Sequence, residues 1–172
     1  MKLSRELRKQ IKKASKSAAK TQRIFSRENI ANMDDNALHI QASLWAEEKY
    51  RDAFHTAPLP CQYVVACSNT FGSAMNGGLS ALFAERSRCY VPAAIEGYAL
   101  VGMHTASEIL QQAQVFYAQV YDENGDVLNI DETPEHFDAE QELDRKFDDA
   151  CKEIDARLAE YIRANAEWFG DL

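Results

Sequence analysis

Apolar residues recur every three or four positions along almost the whole chain, and no stretch of comparable length alternates with the two-residue period of a strand. That pattern predicts an all-α protein. Leu3, Leu7, Ile11, Ala14 and Ala18 mark a first helix, with Lys and Arg between them and an apolar stripe that thins to alanine. The Asp34–Asn36 region starts a second, and the periodicity carries it through Leu38, Leu44, Trp45 and Phe54. Pro58 and Pro60 break the chain and suit the first turn of a helix running through Val64, Val65 and Phe71. Asn76-Gly77-Gly78 reads as a C-cap and restart, continued by Leu79, Leu82 and Phe83.

Pro92 opens a segment holding Ile95, Tyr98, Leu100 and Val101, which Gly102 weakens near its end. Thr105 or Ser107 is placed to cap the next, whose apolar set is Ile109, Leu110, Ala113, Phe116, Tyr117 and Val120. Asp122–Pro134 is the clearest loop, and Asn124-Gly125 within it suits a very short hairpin. Leu143, Phe147, Cys151, Ile154, Leu158, Tyr161 and Ile162 then form the cleanest helical stripe. The expected fold is a single compact helical domain of about seven helices.

Charge is sorted along this chain. Residues 1–27 carry ten Lys/Arg against one acid, whereas residues 28–172 carry nine against twenty-six. The excess grows toward the C-terminus, with seventeen acids and five Lys/Arg from Asp122 to Leu172. Residues 1–27 are therefore read as a basic amphipathic helix and 28–172 as an acidic helical domain. A field of one sign favours cationic partners and repels nucleic acid. The basic helix is expected to fold against the acidic remainder, in its own subunit or a partner's.

At 172 residues and 46% hydrophobic composition the chain has material for one real core. No apolar run is long enough for a membrane span, and the basic N-terminus lacks the apolar stretch of a secretory signal, so the expected location is cytoplasmic. Cys61, Cys67, Cys89 and Cys151 form no C-x-x-C pair and stand at no zinc-finger spacing from histidine. They are expected to be free and mostly buried. His39, His55, His104 and His136 are scattered, no phosphate-binding or nucleophile-elbow motif is present, and no cofactor is implied. The chain is read as no enzyme.

Two acidic features invite a binding role. Asp122-Glu123-Asn124-Gly125-Asp126 opens like a calcium loop, with Glu132 as a closing carboxylate. An EF-hand loop has twelve residues and glycine at its sixth, whereas Val127 holds that place here and Glu132 comes one residue early. On a helix, residues four apart rise about 6 Å. Glu140, Asp144 and Asp148 make one such row, and Asp138 with Glu142 part of another. Duplex DNA carries one phosphate per roughly 3.4 Å of axis on each strand. Carboxylates on helices thus present charge at a comparable spacing. Glu142–Lys146, Asp148–Lys152 and Glu153–Arg157 are acid-to-base pairs that support a helix, but they occupy only three of the seventeen acids.

Three blocks of sequence carry a resemblance. Asn76-Gly77-Gly78-Leu79 followed by Leu82-Phe83 is the first, and Ala99-Leu100-Val101-Gly102 continuing to Ala106, Ile109-Leu110 and Ala113 is the second. The third is Phe137-Asp138, Asp144, Phe147 and Leu158 through Tyr161-Ile162-Arg163. In this order they resemble the bacterial nineteen-kilodalton DNA-mimic protein family, which the length and acidity also match. The resemblance implies an all-helical homodimer that binds the DNA-binding surface of a bacterial helix-turn-helix regulator or histone-like protein and blocks its access to DNA. No catalytic residues come with it, and neither direct nucleic-acid binding nor a membrane is expected for this chain. The basic segment 1–27 lies outside the resembling blocks.

The candidate partner-binding surface comprises Asp122, Glu123, Asp126, Asp131, Glu132, Glu135, Asp138, Glu140, Glu142, Asp144, Asp148, Asp149, Glu153, Asp155 and Glu160. Asp138, Glu140, Asp144 and Asp149 are read as unpaired and facing water. Tyr98, Val101, Phe116 and Tyr117 are read as apolar surface beyond what one small core buries, in keeping with a dimer. The alternatives are a calcium-binding helical protein using the Asp122–Glu132 loop and a helical scaffold whose acids serve only solubility.

Overall fold

The computed structural model describes residues 25–84, 86–122, 125–128 and 133–170. They form six α-helices: α1 (Asp35–Lys49), α2 (Leu59–Ala84), α3 (Val91–Leu100), α4 (His104–Tyr117), α5 (Pro134–Ala150) and α6 (Ile154–Ala164). Short 3₁₀ turns at Arg27–Asn32, Phe54–Thr56, Arg86–Tyr90 and Ala166–Trp168 fill the connections. Gly77 and Gly78 leave helical geometry and divide α2 into two arms, so the all-α expectation and its count of segments hold. The basic helix expected over residues 1–27 falls almost wholly outside the described residues.

α2 is the axis of the domain. Cys61, Val64, Val65, Ala66, Cys67, Thr70, Ala74, Leu79, Leu82 and Phe83 are all buried along it. α1, α3 and α5 pack directly on this helix, α4 packs on α3, and α6 packs on α1. The larger of these, Val64, Val65, Leu79, Leu82 and Phe83, contribute about 1.5–3 kcal/mol each when fully buried, well above any surface ion pair. Tyr98 of α3 and Phe147 of α5 meet edge to face at 5.9 Å between ring centres, beneath the kink. Tyr98 Oη donates to the Cys67 carbonyl at 3.0 Å, which satisfies its polar end inside the core. Cys61, Cys67 and Cys151 are buried free thiols, while Cys89 is free and exposed.

The helix boundaries depart from the sequence expectation in ways the period explains. Asp34 caps α1 as expected, its carboxylate accepting from the Ala37 amide at 3.0 Å. Phe54, however, lies beyond the end of α1, in a separate turn, with its ring edge-on to Tyr90 at 4.9 Å. Nine residues separate Phe54 from Trp45, and at 3.6 residues per turn that places the two on opposite faces. Neither Thr105 nor Ser107 caps α4, which begins directly after Met103. Gly102, at φ +81°, closes α3 instead. The Met103 amide donates to Tyr98 O at 2.8 Å and the Gly102 amide to Ala99 O at 3.1 Å, the paired bonds of a Schellman closure. With the turn so tight, Ser107 falls inside the helix, where its hydroxyl donates to Ile95 O at 2.8 Å.

The C-terminal stripe runs through a break. Residues 151–153 are a turn between α5 and α6, yet Phe147, Cys151, Ile154, Leu158 and Ile162 all remain buried. An isolated bridge joins Tyr121 to Val127 in the loop where a short hairpin was expected. The aromatic faces assigned to a dimer contact need correcting. Tyr98 and Tyr117 are buried in the domain's own core, and Val101 and Phe116 are partly buried against it. Tyr117 stacks on Phe83 at 4.9 Å, so its ring is already used.

Candidate protein-binding surface

α5 carries seven Asp/Glu and two Lys/Arg. Thr133 caps it, accepting from the His136 amide at 3.3 Å, and Pro134 supplies a first turn that needs no donor. Its acids then divide between two faces. Glu140, Asp144, Phe147 and Cys151 follow steps of four, three and four, which keeps them on one side of the helix. Phe147 and Cys151 are buried, and Glu140 and Asp144 are half-buried beside them. Asp138, Glu142, Arg145 and Asp149 follow the same steps on the opposite side and are exposed.

The inward pair is structural. Asp144 Oδ1 accepts from the Leu79 amide at 2.7 Å, capping the second arm of α2 where the kink leaves that donor free. The Gly77-Gly78 break and Asp144, 65 positions apart, thus form one feature. Burial pushes the Asp144 carboxyl up from its ordinary value, the Leu79 amide opposes this, and neighbouring Glu140 adds to the rise. Glu140 Oε1 accepts from Tyr117 Oη at 3.1 Å. Burial, and then the Glu140 charge, push that phenol well above its usual range. Glu140 and Asp144 are therefore neither unpaired nor turned to water as the sequence suggested.

The outward face carries a short ladder of charges. Arg145 pairs with Glu142 at 2.8 Å and with Asp149 at 3.2 Å, Lys146 with Glu142 at 3.3 Å, and Lys152 with Asp149 at 2.6 Å. Asp149 was expected to be unpaired and Lys152 to pair with Asp148; the shorter three-residue step wins. The expected Glu153–Arg157 pair forms at 3.0 Å between the turn before α6 and its first turn. Bonds from Arg145 hold Glu142 below the usual carboxylate range, and bonds from Lys152 do so for Asp149. Exposed pairs of this kind contribute little to stability. Glu135, Asp138, Asp148 and Glu160 are exposed as well. Asp138, Asp148 and Glu160 enter no ion pair or side-chain hydrogen bond among the described residues.

The other candidates lie apart from this face. Asp122 Oδ1 accepts from the Asp126 amide at 2.9 Å, and Arg88 donates to the Asp122 carbonyl at 2.7 Å, so this end of the loop is tied to itself and to the 3₁₀ turn before α3. Glu123, Asp131 and Glu132 lie outside the described residues. Asp155, on the first turn of α6, faces α1: its carboxylate accepts from Asn36 Nδ2 at 3.0 Å and lies 2.7 Å from His39 Nδ1. His39 Nε2 lies 2.6 Å from Ser68 Oγ of α2. Sequence reasoning missed this chain of three because 29 and 116 positions separate its members.

Burial pulls the Asp155 carboxyl up, but the bonds from His39 and Asn36 outweigh it and hold the group below its ordinary value of 3.8. A carboxylate with a depressed folded value adds stability above its unfolded value and loses it as pH falls through the folded one. Urea unfolding should therefore show a loss of stability below about pH 4 that is smaller in Asp155→Asn. Asp144 runs the opposite way: its raised value makes the carboxylate cost stability near neutrality, a cost relieved as pH falls. Equal acid sensitivity in Asp155→Asn and the unchanged chain would rule out the ascribed role of the His39–Asp155 contact.

Among the described residues no helix is long and apolar enough to cross a membrane. A central kinked helix covered by five others, with acids sorted to the outer side of the fifth, defines a small helical protein with a charged outer face. The chain belongs to the DMP19-like protein family, whose model matches residues 55–165. That span begins before α2 and ends after α6, so it includes the glycine kink, its Asp144 cap and the whole outward face. No curated protein and no solved structure matches the chain.

Proposed function

We propose that this protein is a DNA mimic: the outward acids of α5 and α6 occupy the DNA-binding surface of a bacterial DNA-binding protein and block its access to DNA. A helix-turn-helix regulator or a histone-like protein is the partner class. The observation that carries the reading is the division of labour on α5. Glu140 and Asp144 meet the structural needs of the fold, while Glu135, Asp138, Glu142, Asp148 and Asp149 stand exposed on a helix with only two Lys/Arg. Helix support does not account for that excess, because i,i+3 and i,i+4 pairs use few acids and contribute little. From Asp138 to Asp149 the helix rises about 16 Å, comparable to five phosphate steps along one DNA strand. Membership of the DMP19-like family supports the same reading.

A homodimer would extend the charged face across two copies, since a two-fold axis repeats any surface it does not cover. Val115, Leu100 and Phe137 are large apolar side chains more than half exposed on α4, α3 and α5, and they replace Tyr98 and Tyr117 as candidates for such a contact.

Salt provides the test. If carboxylates replace phosphates, partner affinity should fall steadily as ionic strength rises from about 0.05 M to 0.3 M, where the screening length shortens to within a few ångströms of contact range. Calorimetry across that series should show at least a tenfold loss. Affinity that stays constant or rises with salt would identify an apolar interface and refute mimicry.

A further inference from the structure

We propose that Ser68, His39 and Asp155 form a nucleophile-activating relay in a cleft that takes small carboxylic esters, an acyl-transfer site separate from the acidic face. Three helices contribute one member each: Ser68 from α2, His39 from α1 and Asp155 from α6. The contacts are 2.6 Å from Ser68 Oγ to His39 Nε2 and 2.7 Å from His39 Nδ1 to Asp155 Oδ1. An ionised carboxylate only accepts, so Nδ1 carries a proton, and in the neutral imidazole Nε2 is then left to accept from the Ser68 hydroxyl. That is the tautomer a general base requires. Asn36 Nδ2, at 3.0 Å from Oδ2, fixes the carboxylate in turn.

The orientation of Ser68 is not the default for its place in the chain. Hydroxyls and amides inside helices commonly bond back to the preceding turn. Asn69 does so to Val65 O at 3.0 Å and Thr70 to Ala66 O at 2.9 Å. Ser68 turns to His39 instead. The relay borders an open cleft of about 800 Å³ between α1 and α2, a volume suited to a small ligand. Ile40, Leu44 and Phe71 supply apolar lining for an acyl chain, and Ser43, Ser73 and Asn76 bring side-chain donors.

In the reaction, Ser68 Oγ attacks the ester carbonyl carbon and its proton passes to His39 Nε2. The ester C–O bond breaks, and the leaving alkoxide takes that proton and departs as the alcohol. Water then attacks the acyl-Ser68 ester, giving its proton to His39. His39 returns it to Ser68 Oγ as the acid leaves, so ester and water become alcohol and acid. Ser68 lies within α2, so the charged intermediate depends on side-chain donors rather than on a pair of free backbone amides. Adduct formation, rather than fast turnover, is the expected signature.

The experiment is labelling of the intact chain with a fluorophosphonate, followed by peptide mapping. One adduct on Ser68 is expected, and none on that peptide in Ser68→Ala. Asp155→Asn places a donor against Nδ1 and favours the opposite tautomer, so the labelling rate of Ser68 at saturating probe should fall about a hundredfold, as for loss of general-base catalysis. The probe concentration at half-maximal rate should stay the same, a split that a merely structural role would not produce. If Ser68 in the native chain reacts no faster than in the urea-unfolded chain, the relay is only a tie between helices and the proposal is wrong. That comparison needs no variant to fold.

Discussion

Reversing Asp138, Glu142 and Asp149 together to Lys should weaken partner binding at least about a hundredfold while far-ultraviolet circular dichroism stays unchanged. Each reversal replaces an attraction to a basic DNA-reading surface with a repulsion, so the three effects compound even though each is screened by solvent and salt. Arg145, Lys146 and Lys152 would also lose their partners and add free positive charge to the face. The fold should tolerate this, because all three acids are exposed and surface substitutions of this kind change stability little. Reversing Glu140 and Asp144 would act differently, since an ammonium would then replace the Leu79 cap and the Tyr117 acceptor. A triple reversal that folds and still competes with DNA would move the mimic surface elsewhere, with the acids of 28–52 as the next candidates.

The second large effect is on stability. Gly78→Ala should destabilise the chain by about 3 kcal/mol. Gly78 sits at φ +76° and ψ 177°, a region essentially reserved for glycine and costing other residues about 1–3 kcal/mol. An added Cβ would also lie 2.6 Å from Asp144 Oδ2, displacing the carboxylate that caps Leu79. Loss of such a cap costs about 1 kcal/mol. In a chain of this size the total corresponds to roughly 6–12 °C in Tm. Gly72→Ala is the control: a Cβ there meets nothing within 4 Å, so the change should be neutral or slightly stabilising. Gly78→Ala and Asp144→Ala should be non-additive, as both remove one contact. Full additivity would show that the two residues act separately.

The helices were legible because their signal is local. Asp34 as a cap, the restart at Gly77-Gly78, Pro92 and the terminal stripe each depend on neighbours within a turn or two. The faces of α5 were harder. A row of strict four-residue steps, Glu140–Asp144–Asp148, drifts around the helix, whereas alternating steps of four and three stay on one side. Asp144 stands on the stripe of Phe147 and Cys151, and a carboxylate in such a stripe was the available sign that it serves the interior. Its partner, an amide freed by a kink 65 positions earlier, leaves no mark in local periodicity. The Ser68–His39–Asp155 chain was invisible for the same reason: it exists only once α1, α2 and α6 are packed together. The segment expected to form a basic N-terminal helix lies almost wholly outside the described residues, as do Glu123, Asp131 and Glu132.

The central claim is that this chain takes the place of DNA rather than joining it. A gel-shift titration tests it directly: a fixed complex of the partner with its duplex is challenged with increasing amounts of this protein. Mimicry predicts that the complex disappears, that free duplex is released in proportion, and that this protein alone never shifts the duplex. A stable slower band containing partner, duplex and this protein together would contradict it.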